Sequence, residues 1–160
     1  MDRVNLILGN SKYQEYIDKI KQAEEDRIFC LHNMSHFMDV ARIAYIINLE
    51  EELEIPKELI YATALLHDIG RFRQYEDGTL HELASAELAQ AILEEAEFVD
   101  KEQKEILRAI REHRNKEVAV EKSLAGIIYR ADKLSRPCFA CVAERQCDWK
   151  KSRKNMRISY

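Results

Sequence analysis

The chain carries only five histidines, and each stands beside a stretch that reads as the apolar core of a helix. His67 and Asp68 follow the run Ile60-Tyr61-Ala62-Thr63-Ala64-Leu65-Leu66 and precede Ile69-Gly70. An imidazole next to a carboxylate at a buried helix end is costly unless both have partners. A divalent cation would supply one, because neutral imidazole nitrogen and carboxylate oxygen both ligate Zn, Mn, Fe or Co. Adjacent helical side chains point about 100° apart, yet at a helix terminus both can reach an ion beyond the last turn. Taken alone, the pair is equally a helix-ending histidine interacting with terminal carbonyls, with Asp68 in a surface turn.

The remaining acids and imidazoles change the balance. His36 precedes Val40-Ala41 and Ala44; His81 opens one helical segment; His113 closes another after Ile106, Ala109 and Ile110. Asp132 interrupts the apolar segment Ile127-Ile128-Tyr129-Arg130-Ala131-Asp132-Lys133-Leu134. Each is explicable singly as a satisfied, partly buried residue. Together they sit on separate predicted helices, which is how a bundle builds a central metal site.

The elements that must position these residues are helical. Ala, Leu, Ile, Glu, Lys and Arg dominate, four glycines and two prolines are too few for a turn-rich β fold, and no clean period-two alternation survives. Helical spacing predicts segments over about Lys12 to Phe29, with Ser11 as cap, and Met34 to Leu49. A third starts at Pro56 and runs to Ile69, with Gly70 as its stop. Others span Glu82 to Ala96, Lys101 to His113 and Val120 to Ser135. Arg71 to Leu80, with Asp77-Gly78, reads as a loop, and Arg114 to Val118 as a polar connection. The tail from Cys138 to Tyr160 holds at most a short helix near Phe139 to Gln146. At 160 residues with 46% hydrophobic content, an all-α, compact, single-domain bundle is expected over 1–160.

The order His36, His67-Asp68, Asp132 resembles the HD-domain superfamily of metal-dependent phosphohydrolases. His36-Phe37-Met38-Asp39-Val40-Ala41 is similar to that family's first-histidine helix, Ala64 to Arg71 to its central motif, and Ala131-Asp132-Lys133-Leu134 to its final aspartate segment. The resemblance covers about Ile28 to Ser135, leaving 136–160 as a C-terminal tail with a cysteine cluster. It implies an HD-type fold with His36, His67, Asp68 and Asp132 on a first metal. Some members hold a second metal on two intervening histidines, which His81 and His113 match in place, with Asp68 as the bridge. The cofactor is then one or two divalent ions drawn from Mn, Fe, Co, Zn, Ni or Mg. His32, one helical turn before His36, is an alternative ligand, a substrate contact or a residue behind the ligands.

The expected reaction is hydrolysis of a phosphate ester or anhydride of a small molecule, a nucleotide for preference, by metal-activated water. Asp68 and Arg71 are the expected catalytic residues, and Arg71 and Lys133 the substrate-binding cations; Arg73 and Arg114 are weaker candidates. Asp39 and Glu82 are acids that could move a proton. Phe72, Gln74 and Tyr75 could contact a base or merely pack their loop. The alternative is a non-catalytic HD domain that binds a nucleotide or partner as a regulator. The Gly-Tyr-Pro segment of HD-GYP cyclic-dinucleotide hydrolases is absent, and nothing favours di-iron oxygenase chemistry.

Net charge of −4 argues against general nucleic-acid binding, and no apolar run is long enough for a membrane span. No secretion signal is visible over Met1 to Asn10, and few cysteines suit reduced thiols, so a cytoplasmic protein is expected. The composition leaves room for a homodimer. Cys138, Cys141 and Cys147 cluster, but a zinc site needs a fourth ligand, either distant Cys30 or a histidine, so free thiols are the favoured reading.

Overall fold

A computed structural model describes residues 1–160 as eight α-helices and four short 3₁₀ turns, with no strand. The helices are α1 (Asp2–Gly9), α2 (Ser11–Ala23), α3 (Met34–Glu50), α4 (Lys57–Leu66), α5 (Arg71–Glu76), α6 (His81–Glu95), α7 (Asp100–Glu112) and α8 (Leu124–Leu134). The all-α bundle expected from composition is therefore the observed class. None of the helices is long and apolar enough to cross a membrane.

Helix α4 forms the centre. It packs against α1, α3, α6, α7 and α8. Leu59, Ile60, Ala62, Thr63, Ala64, Leu65 and Leu66 are all buried, so the helix is apolar around most of its circumference, as a core helix must be. Its one interior hydroxyl, on Thr63, donates back to the Leu59 carbonyl at 2.7 Å. Each fully buried Leu or Ile contributes about 1.5–3 kcal/mol, so α4 is a rigid base for His67 and Asp68 at its C-terminal end.

Several boundaries differ from the periodicity. Helix α1 precedes the first expected helix and buries only Val4 and Ile7, too short an apolar stripe to announce itself. Asn10, and not Ser11, caps α2: its Oδ1 accepts from the backbone N–H groups of Lys12 at 2.9 Å and Tyr13 at 3.1 Å. Helix α2 stops at Ala23 and does not reach Phe29, because Glu24 turns inward to bind His32. Helix α8 begins at Leu124, where Ser123 Oγ accepts from the Gly126 N–H at 3.3 Å; a 3₁₀ turn, Lys116–Val120, precedes it.

The expected loop at Arg71 to Leu80 contains α5. Phe72 anchors it, buried and stacked on Tyr16 with ring centroids 5.7 Å apart. The loop proper begins at Asp77, and Gly78 takes φ of 82°. Gly70 has a different task from the helix stop assigned to it. Its N–H donates to Ser85 Oγ at 2.9 Å, and a Cβ there would lie 2.4 Å from the Ser85 backbone nitrogen. Only glycine lets the chain after His67-Asp68 pass this close to α6.

Candidate metal centre

The six ligand candidates converge. His67 is the residue after the last turn of α4, and Asp68 is next to it. His36 lies in the first turn of α3, His81 opens α6, His113 ends α7, and Asp132 lies in the last turn of α8. They form two groups whose ligand atoms all lie within 4.8 Å of one another: His36, His67, Asp68 and Asp132, and Asp68, His81 and His113. Asp68 belongs to both.

Its two oxygens face opposite groups. Oδ2 lies 3.1 Å from His67 Nε2 and 3.6 Å from His36 Nε2. Oδ1 lies 3.1 Å from His81 Nε2 and 3.6 Å from His113 Nε2. Asp132 Oδ1 closes the first group, 3.5 Å from His36 Nε2.

The far side of each ring fixes its tautomer. His67 Nδ1–H donates to the Ala64 carbonyl at 2.7 Å, and His113 Nδ1–H donates to the Ile110 carbonyl at 2.7 Å. Both use the carbonyl three residues back at a helix end, so Nε2 is left with its lone pair pointing inward. Ser135 serves His36: its hydroxyl donates to the Asp132 carbonyl at 2.9 Å and accepts from His36 Nδ1–H at 3.3 Å. Gln74 Oε1 accepts from His81 Nδ1–H at 2.5 Å.

Charge and burial act against each other here. Burial alone would raise the Asp68 carboxyl, but His67, His32 and the other surrounding imidazoles hold it well below the usual range. Burial opposes ionisation of Asp132 too; Lys133, His67 and Arg136 prevail and keep it low. Burial lowers His36 and His81. Burial would also lower His67, yet the neighbouring Asp68 and Asp132 carboxylates outweigh it and shift the group upward.

A cation fits this donor set. His36 Nε2, His67 Nε2 and Asp68 Oδ1 are buried without any hydrogen-bond partner. Buried polar atoms are rarely left so, and two imidazole nitrogens with an oxygen of the carboxylate they face are donors that a divalent cation would satisfy. His, His, Asp, Asp on one side and Asp, His, His on the other suit divalent transition metals.

The expected cations are less free. Arg71 Nη1 donates to Gln74 Oε1 at 3.1 Å and sits 2.8 Å from His81 Nδ1, so its guanidinium lies behind the second group. Lys133 pairs with Asp132 Oδ2 and reaches the His113 carbonyl at 3.4 Å. Arg73 pairs with Glu87, and Arg114 is half exposed, 3.9 Å from Glu82. Phe72 and Tyr75 do not line an open base site: Phe72 is core, and Tyr75 donates to Glu24 Oε1 at 2.7 Å. Asp39 is half-exposed beside Arg42. Glu82 is partly buried, with a buried Oε2 that is unpartnered and 3.5 Å from His81 Nδ1.

His32 lies before α3, outside the helix, with Nε2 3.9 Å from Asp68 Oδ2. Glu24 holds it by both carboxylate oxygens. Sequence reasoning missed Glu24, because Glu24-Glu25-Asp26-Arg27 reads as an ordinary solvated run. It also missed Ser135, although its place after Asp132-Lys133-Leu134, one turn from a ligand, was a usable signal.

The HD domain family model matches residues 33–136. An uncharacterized protein of Clostridium beijerinckii (strain ATCC 51743 / NCIMB 8052) is 47% identical over 160 residues, covering the whole of both chains. Among solved structures, a predicted HD superfamily hydrolase from an uncultured Thermotogales bacterium is similar with a TM-score of 0.62 at 28% identity, covering 89% of this chain and 81% of that one. With the histidine and aspartate groups gathered as described, the chain belongs to the HD domain family, a family of metal-dependent hydrolases.

Proposed function

We propose that this protein is a metal-dependent phosphohydrolase that cleaves a phosphate ester or anhydride of a small molecule, a nucleotide for preference, at a two-ion centre. The observation that carries the reading is Asp68, a buried carboxylate whose two oxygens serve two separate imidazole groups. His36, His67, Asp68 and Asp132 would hold one ion; Asp68, His81 and His113 would hold the other. Bound there, divalent ions supply Lewis acidity, which acidifies water and neutralises charge on phosphoryl oxygens.

The protein's own residues have distinct tasks. Ser135, Ala64 O, Ile110 O and Gln74 accept from the Nδ1 side of the rings and so orient the Nε2 atoms toward Asp68. Lys133, beside Asp132, and Arg71, beside His81, would bind the phosphate once released from Asp132 and Gln74. Glu82 Oε2, unpartnered beside His81, is placed to accept or return a proton. Hydrolysis forms a bond from water oxygen to phosphorus and breaks the phosphorus–oxygen bond to the leaving group, which takes up a proton.

The test is turnover of a panel of phosphomonoesters, nucleotides and cyclic dinucleotides with Mn, Co, Mg and Fe, alongside metal content. Release of phosphate from a mononucleotide, lost in Asp68→Asn, is the expected result. Tight nucleotide binding with no turnover across the panel would assign a regulator instead.

A further inference from the structure

We infer that Cys30, Cys138, Cys141 and Cys147 form a second kind of metal site, a structural zinc bound by four thiolates, which fastens the C-terminal segment to the loop before α3. All the cysteines of the chain line one cavity of about 490 Å³. They come from two regions more than a hundred residues apart in sequence, Cys30 at the α2–α3 connection and the other three beyond α8. The thiols are free of disulfides.

The C-terminal segment needs such a fastening. From residue 135 to 160 the only apolar residue that is buried is Ala143. The regular structure there is three 3₁₀ turns, Cys138–Ala140, Glu144–Gln146 and Lys151–Arg153. Asn155 ties the segment to the end of α8 through the Lys133, Leu134 and Arg136 carbonyls, and a tetrahedral zinc would add the staple that a stretch with no core of its own otherwise lacks.

Local geometry presents the thiols from turns. Cys138 and Cys141 bracket the first 3₁₀ turn, where the Cys141 N–H donates to the Cys138 carbonyl at 3.2 Å. Cys147 follows the second turn, its N–H donating to the Ala143 carbonyl at 3.1 Å. Two cysteines separated by two residues on one turn, with further thiols from elsewhere, is the spacing a closed zinc site uses. The sulfurs are not gathered as tightly as the histidine and aspartate ligand atoms, so zinc would draw them inward across the cavity.

A zinc ion with four thiolates bears a net charge of −2. Asp39, Arg136, Glu144 and Lys154 all line the cavity, and Lys154 already pairs with Glu144 at 2.9 Å, so Arg136 is the cation left to face the sulfurs. Arg136 Nη1 is buried and donates to nothing, and a thiolate would be its acceptor. His36 and Ser135 form the wall between the two sites. The staple therefore steadies the serine that orients a ligand of the HD centre, although its existence does not depend on that centre's activity.

The test uses the full-length protein purified without chelator. Thiol titration with p-hydroxymercuribenzoate, monitored with a zinc indicator, is expected to release one zinc as the four thiols react. Cys138→Ser/Cys141→Ser is expected to lose that zinc, while Asp68→Asn keeps it. Cobalt replacement is expected to give thiolate-to-cobalt charge-transfer absorption in the wild type, a readout that needs no variant to fold. Rapid reaction of all four thiols in native protein with no zinc released would overturn the site. Iron and sulfide in place of zinc would overturn the identity of the metal.

Discussion

Glu24 grips His32 twice: the His32 backbone N–H donates to Oε2 at 2.8 Å, and the ring Nδ1–H donates to Oε1 at 2.5 Å. The carboxylate is buried just past the end of α2, twelve residues before His36, and the other ring nitrogen of His32 lies 3.9 Å from Asp68. This pair orders the loop that closes one side of the centre.

Replacing Glu24 should therefore destabilise the fold in a pH-dependent way. Burial would raise its carboxyl, but the hydrogen bonds and charge of His32, with Tyr75 assisting, depress it from 4.5 to about 2. A depressed carboxyl contributes stability that is present above 4.5 and lost as pH falls toward 2. Glu24→Gln should cost about 1–3 kcal/mol near neutrality, and the difference from wild type should shrink between pH 4.5 and 2. Urea unfolding of both proteins across that range measures it; a gap that stays constant would remove the carboxylate from the explanation.

The shared carboxylate predicts an unequal pair of variants. Asp68→Asn should empty both ion positions and cut phosphohydrolysis by at least about 10³-fold, with the helical circular dichroism unchanged. His81→Ala/His113→Ala should lower metal content by one ion per chain and leave His36, His67 and Asp132 able to hold the other. Elemental analysis after dialysis reads both; equal loss in the two variants would deny the bridge.

Ser135→Ala addresses ring orientation alone. It removes the acceptor of His36 Nδ1–H without touching a ligand. Changes behind metal-bound histidines cost roughly 10–100-fold in affinity, so metal should bind that much more weakly. Isothermal titration provides the number, and Ser135→Thr, which keeps a hydroxyl, should restore most of it.

Gly70→Ala tests the close approach after the central motif. The added Cβ would meet the Ser85 backbone nitrogen at 2.4 Å and Ala84 Cβ at 2.7 Å. Overpacking of this kind costs about 1–3 kcal/mol. It should shift α5 and α6 and with them His81, so thermal stability and the second ion should fall together.

Much of the site was legible in the residues. His67, His81, His113 and Asp132 were conspicuous because imidazoles and acids are expensive among Leu, Ile and Ala, and periodicity placed them on separate helices that the fold then gathers. The residues that hold them were not legible. Glu24 lies in a run of charges, Gln74 in a segment read as a loop, and each gains its role only when the chain doubles back, eight residues on for Glu24 and His32 and seven for Gln74 and His81. Helix α5 escaped notice because six residues are too few to display a period, and one buried aromatic, Phe72, fixes them. The basic residues Arg71 and Lys133 lie where expected but are already paired, which spacing alone does not reveal.

Helix α4 ends at His67-Asp68 and is wrapped by five neighbours. Its amides should thus exchange with solvent only when the whole molecule opens, and those of Ala64 to His67 should be among the slowest in the chain. The stretch from Glu25 to Asn33 and the cysteine-bearing tail are mostly exposed, so their amides should exchange far sooner, and a hydrogen-exchange map should divide the chain into a durable bundle and a fast-exchanging cover.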